Sequence, residues 1–283
     1  MRHRSPRLAA VTLLLGVAAP LAAQDLPTSQ PKYITIIREE VKVGRDADHA
    51  RIESGWPAAF ERAKSPDYYL SLVSMTGTHE AWFIVPAASH AAMADGMKRT
   101  EGDARLTAEL DRLARADGEL LSNHRVMLAM ARPDLGSGAY PELAKQRFWE
   151  ITWFRVRPGH EQQFEAAAKT YAAAAKRGAP GNTWRVYQII AGVPGPTYLV
   201  FGSVESYDKF DTMMDDGMKL MSVFTADEMA SIQKFSTEGL INAETQRFRL
   251  DPRMSYVSKA VRATDPGFWM PKRTVTASTA AQP

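Results

Sequence analysis

The stretch VRPGHEQQFEAAAKTY at residues 156–171 has a worn counterpart, VKVGRDADHARIESGW, at residues 41–56. Both read as the end of a strand, a tight turn at a glycine and the first turns of a helix. A junction that recurs at a fixed distance implies a repeated structural unit, and that constrains the fold more than any single motif. Displacing the chain by 115 residues brings Tyr33 onto Phe148, Ile36 onto Ile151, Val41 onto Val156, Gly44 onto Gly159, Tyr69 onto Trp184 and Gly77 onto Gly192. The offset then grows to 116, pairing Trp82 with Tyr198 and Ile84 with Val200. It reaches 119 at Leu113 and Ile232, Leu121 and Leu240, and Pro133 and Pro252. Growth confined to turns is the expected mark of loop insertions in a duplicated unit.

Each repeat carries the same predicted elements. In the second, the aromatic and β-branched run 147–158 is a strand, and 159–178 is a helix stopped by Gly178. Residues 183–192 and 197–204 form a hairpin. Thr225 and Glu228 make a capping box for a later helix, and 245–251 is a closing strand. The first repeat predicts strands at 33–43, 68–76, 80–86 and 124–131 and helices at about 46–63 and 89–122. Gly55 and Pro57 should kink or split the first of those helices, because proline removes a backbone donor. The order β-α-β-β-α-β is the ferredoxin-like unit. A lone sheet of this kind leaves one face bare, and two units can bury their bare faces on each other. The fold class expected is therefore α+β: two tandem ferredoxin-like units packed sheet-to-sheet as a pseudo-dimeric α+β barrel. Unit 1 spans 33–132 and unit 2 spans 147–252, with linkers at 24–32 and 133–146. Residues 253–283 form a C-terminal extension expected to lie across the barrel surface or a partner, its last ten residues disordered.

The strand, Pro-Gly turn and EQQFEAA helix opening resembles the dimeric α+β barrel superfamily, which includes antibiotic-biosynthesis-type monooxygenases and NIPSNAP-like proteins. Two units in one chain look like a fused pair of that kind. The resemblance covers residues 33–252 and implies a fold rather than an activity. Some members of the superfamily bind haem through a helix histidine, but no histidine here is marked for that role.

Composition narrows the function classes. Arg2, Arg4 and Arg7 precede the apolar run 8–19, and PLAAQD follows, so residues 1–23 read as a signal peptide cleaved near Ala23. Export to the periplasm or exterior is expected, with no stable membrane anchor after cleavage. The chain has 35 Lys and Arg against 32 Asp and Glu, and three of those arginines lie in residues 1–23. The remainder balances at 32 against 32, which gives no basic surface for nucleic acid. With no cysteine, disulfides, zinc-thiolate sites and thiol nucleophiles are excluded.

Strand alternation turns Arg38, Glu40, Trp149, Trp153 and Arg155 toward the space between the sheets, where Arg185 and Tyr187 join them. Indoles, a phenol and guanidinium groups around one space would suit a small aromatic or carboxylate ligand. A buried Glu40–Arg155 ion pair among ordinary core tryptophans is the competing reading. In an enzyme, a cofactor-independent monooxygenase or isomerase, Trp149, Trp153 and Tyr187 would stack the substrate while Arg155 or Arg185 stabilised an enolate oxygen. A non-catalytic assembly protein, with homo-oligomers open to it, is the third class. No catalytic residue, cofactor or metal site is assigned. His49, His79, His90, His124 and His160 form no H-x-H or H-x-x-x-H pair, and His49 reads as a polar variant of the core position held by Phe164. Met214, Met218 and Met221 have the spacing of a soft-metal site or of one buried helix face, and packing is the favoured reading.

Overall fold

The computed structural model describes residues 26–271. The signal segment expected at 1–23 and the polar tail expected to be disordered lie outside the described residues. Eight strands are formed: β1 (Tyr33–Val41), β2 (Leu70–Ser74), β3 (Glu80–Ala87), β4 (Leu121–Ala131), β5 (Phe148–Val156), β6 (Arg185–Ala191), β7 (Thr197–Val204) and β8 (Leu240–Leu250). They close into one barrel in the order β1-β3-β2-β8-β5-β7-β6-β4, and every neighbouring pair is antiparallel. Each half of the chain contributes four strands in the same order, β4-β1-β3-β2 and β8-β5-β7-β6. Two seams, β2 with β8 and β4 with β6, join the halves. Even an irregularity recurs: the register shifts at Glu40/Val41 against β4 and at Arg155/Val156 against β8.

Alternation along β1 and β5 sorts the side chains as their sequence implies. Ile34, Ile36, Trp149, Ile151 and Trp153 enter the barrel interior, where they pack with Trp82, Met127, Leu199 and Phe248. Trp82, Ile36, Met127, Ile151, Leu199 and Phe248 are fully buried, and each such side chain contributes about 1.5–3 kcal/mol through burial. The outer face meets the helices, with Phe154 and Tyr198 packing on Phe164. One alignment made on sequence fails here. Trp82 pairs with Arg38 and Leu199 with Trp153, so Leu199 is the counterpart of Trp82. Tyr198, displaced by one residue, faces outward, because a one-residue slip exchanges the two faces of a strand.

The first half has α1 (Asp46–Glu53), α2 (Gly55–Ala63), α3 (His90–Gly102) and α4 (Ala104–Gly118); the second has α5 (Glu161–Gly178), α6 (Lys209–Ser222) and α7 (Ala226–Glu238). The expected break falls between α1 and α2 at Ser54. The capping box opens α7, with Thr225 Oγ1 accepting from the Glu228 amide and Glu228 Oε2 from the Thr225 amide. Met214, Met218 and Met221 are exposed rather than packed. The buried face of α6 is supplied by Phe210 and Leu220, and Met213 turns toward Gly202 of β7.

The C-terminal extension reaches both the outer face and one end of the barrel: Met254 and Tyr256 pack with Phe60, Tyr69 and Phe83, and Arg262 pairs with Glu61 of α2 at 2.8 Å. Its two short helices, α8 (Lys259–Thr264) and α9 (Pro266–Trp269), stop one barrel end, where Val257, Val261 and Trp269 join the interior core. Arg147 fixes the plug by donating to Asp265 at 2.8 Å and lying 3.8 Å over the Phe268 ring. Among the described residues, no helix is long and apolar enough to cross a membrane.

Candidate functional sites

The structure divides the seven side chains proposed from sequence between the two ends of the barrel. Trp149, Arg185 and Tyr187 meet at the plugged end, around a cavity of about 80 Å³ that Leu26, Tyr140 and Leu143 help to close. Arg185 is already engaged there: it donates to the carbonyls of Ser137, Gly138, Ala139 and Trp184. Burial pushes its pKa down and that of the Tyr187 phenol well up, and the phenol donates to the Pro31 carbonyl at 3.4 Å.

Arg38 and Trp153 lie at the opposite end, with Glu40 and Arg155 near the rim. Arg38 forms a bidentate ion pair with the buried Glu80, Nε to Oε2 at 2.7 Å and Nη2 to Oε1. Its guanidinium sits 5.8 Å from the Trp82 ring and 5.4 Å from the Trp153 ring. Among the described residues, Arg155 is exposed and forms no ion pair with Glu40; Glu80 is the carboxylate paired inside the barrel.

A roomier space lies outside the barrel, between the second half-sheet and helices α5, α6 and α7. This cavity measures about 310 Å³ and is walled by Phe154, Phe164, Tyr171, Trp184 and Phe235, with Ala167 and Ala168 on its α5 side. Helical spacing on α5 places Phe164, Ala167, Ala168 and Tyr171 on one face, and alternation places Glu150, Thr152 and Phe154 on the facing side of β5. Glu150 is the one charged side chain in the lining, and it is paired with Arg247 at 2.9 Å. The Trp184 indole N–H is fixed on the Leu135 carbonyl at 3.1 Å. No histidine lines the space, so these residues do not fit a haem held through a helix histidine.

The first half carries a different chemistry, which the search for histidine pairs missed. Glu39 of β1, His49 and Glu53 of α1, and Asp117 of α4 are all buried, and one ligand-type atom from each lies within 4.8 Å of all the others. His49 Nε2 stands 3.0 Å from Glu39 Oε2 and 3.5 Å from Asp117 Oδ1. Glu53 Oε1 and Asp117 Oδ1 have no hydrogen-bond partner. The signal available in sequence was His-x-x-x-Glu at 49 and 53, one face of a helix. Burial pushes the Glu53 carboxyl well above the usual range, and the carboxylates of Glu39 and Asp117 add to it. Burial and the Glu39 charge likewise raise Asp117 to about 6, against the opposing pull of His49.

A titration consequence follows for the cation-free protein. An acid whose folded-state pKa is raised holds its proton more tightly when folded. Its stabilisation is complete below the unfolded pKa and is lost as pH rises through the folded one. For Asp117 that loss begins near pH 4 and runs through about pH 6. Asp117→Asn, a neutral mimic, is expected to gain on the wild type as pH rises through that range, read by urea denaturation in the presence of a chelator. A gap that stays constant with pH would contradict the assignment.

No family model matches the sequence, and no curated protein matches it. Solved structures do resemble it at low identity. A candidate monooxygenase of Fusobacterium nucleatum aligns over 78% of this chain and 93% of its own, with 8% identity and a TM-score of 0.50. A candidate monooxygenase of Lactobacillus acidophilus NCFM aligns over 81% and 97%, with 9% identity and a TM-score of 0.49. A chlorite dismutase variant of Candidatus Nitrospira defluvii in complex with cyanide aligns over 80% and 93%, with 9% identity and a TM-score of 0.47. The likeness to the Fusobacterium protein is one of fold, a mixed α+β chain built on an antiparallel barrel.

Proposed function

We propose that the chain is an exported binding protein for a small neutral aromatic molecule, housed between the second half-sheet and α5–α7. The observation that carries the reading is the 310 Å³ aromatic-walled cavity, which falls at the lower end of the range for small-molecule sites. Its one charged lining residue, Glu150, is already paired with Arg247, and no cationic side chain lines the space to receive an anion, so of the two ligand classes expected from sequence the aromatic one is supported. The barrel interior is lined by its own aromatic and aliphatic core, and the cavity at its plugged end, about 80 Å³, is smaller than the aromatic-walled space. The repeated strand order and the repeated bulge support a fused pair of ferredoxin-like units of the dimeric α+β barrel superfamily. The arginine-flanked apolar run in residues 1–23 supports export to the periplasm or exterior.

Trp184 provides the test. The neutral probe 1-naphthol is expected to quench tryptophan fluorescence and raise the thermal midpoint, whereas 1-naphthoate does neither. Ala168→Phe, which fills the α5 side of the cavity, is expected to weaken the response at least about 10-fold while the midpoint of the free protein is retained. Equal responses in wild type and Ala168→Phe, or none to the neutral probe, would overturn the proposal.

A further inference from the structure

We propose that Glu39, His49, Glu53 and Asp117 form a binding site for one divalent first-row transition-metal ion. The donor set is one imidazole nitrogen and three carboxylate oxygens, drawn from a strand and two helices. Imidazole and carboxylate together suit Zn²⁺, Fe²⁺ and Mn²⁺, and no thiolate is present to favour softer ions. The spacing agrees with a shared ion. Ligand atoms about 2.1 Å from a tetrahedral cation stand roughly 3.4 Å from one another, and the two measured separations from His49 Nε2 are 3.0 Å and 3.5 Å.

Two further observations point to a bound cation. Glu53 and Asp117 are 3% and 4% exposed, yet each carries a buried oxygen that accepts no hydrogen bond, and that of Asp117, Oδ1, stands 3.5 Å from His49 Nε2. Buried carboxylate oxygens are normally satisfied, and leaving them so is costly. Three carboxyl groups face one imidazole, and no Lys or Arg is paired with any of them among the described residues. Asp117 also lies in the last turn of α4, whose negative dipole end opposes a carboxylate and favours a cation. His124, half exposed, stands 3.9 Å from Glu39 Oε1 and marks the side on which the cluster approaches solvent. With four protein ligands the ion would be structural, tying α1 and α4 to β1.

The same space in the second half holds the aromatic cavity. By the offsets of 115 and 119, Glu39, His49, Glu53 and Asp117 correspond to Phe154, Phe164, Ala168 and Ser236, all of which line it. The charged set therefore occupies, position by position, the places that the second half gives to two phenylalanines, an alanine and a serine.

The test uses the purified full-length protein, stripped with EDTA, returned to chelator-free buffer and titrated with Zn²⁺ and, separately, Mn²⁺. One equivalent per chain is expected by elemental analysis, with a raised thermal midpoint and loss of the free-Mn²⁺ paramagnetic resonance signal. Glu53→Gln and Asp117→Asn keep shape and relieve like-charge repulsion, so both should fold. Each is expected to weaken binding at least about 100-fold, beyond what a second-shell change does. Failure of both ions to bind stoichiometrically would overturn the proposal, as would wild-type affinity in both variants. Such results would leave a metal-free cluster in which carboxyls and imidazole share protons.

Discussion

Glu80→Ala is expected to cost about 3–5 kcal/mol, the penalty for removing one partner of a buried ion pair. The Glu80 side chain is completely buried and accepts from Arg38 and, at 2.7 Å, from the Trp82 indole N–H. Its loss strands a guanidinium held between two indoles and leaves a buried indole donor unsatisfied. Glu80→Gln keeps the shape and one acceptor and should lie between wild type and Glu80→Ala. Replacing both partners, Arg38→Met with Glu80→Ala, should recover much of the loss, since a well-packed apolar pair needs no counter-charge. Urea denaturation of the four proteins measures this. A Glu80→Ala protein within about 1 kcal/mol of wild type would show that the pair is solvated rather than part of the core.

Gly192→Ala is expected to cost about 3 kcal/mol and to act on one seam of the barrel. Gly192 follows β6 with φ at 101°, and a Cβ there would stand 2.3 Å from the Val126 carbonyl oxygen and 2.9 Å from Met127 Cα. Both neighbours are backbone atoms of β4, so relief requires β4 and β6 to part where their register already shifts. Gly159→Ala is the control. Its φ is 90°, but nothing lies within 4 Å, so only the left-handed strain of about 1–2 kcal/mol applies. Hydrogen exchange should show faster opening of the amides paired across β4 and β6 in Gly192→Ala alone. Equal costs for the two substitutions would mean that the seam yields freely.

Where one face was buried and the other covered by helices, the sequence was readable. The two faces of β1 and β5, the break near Pro57 and the box at Thr225 all follow from periodicity and local chemistry. The closing strands were read short, at 124–131 and 245–251, whereas β4 and β8 begin at Leu121 and Leu240. Their first turns are exposed on both faces, so no alternation marks them. The pairing of Arg38 with Glu80 is not legible along β1, because Glu80 lies on another strand. His49 was placed correctly as the counterpart of Phe164, but its acidic neighbours come from β1, its own helix and a helix more than sixty residues later. Such a constellation is assembled by topology and leaves only the His-x-x-x-Glu fragment in the sequence.

The division of the barrel into a plugged end and a polar end also sets where binding chemistry is available. Tryptophan and phenylalanine occupy the barrel interior, and the aromatic-walled cavity and the Glu39–His49–Glu53–Asp117 cluster lie beneath the helices on its outer face.

Both seams are hydrogen-bonded within a single chain. A barrel assembled from two separate chains would dissociate as it was diluted, its stability tied to protomer concentration. Here the second half is supplied by a covalent linker at a fixed effective concentration. Closure is therefore independent of dilution.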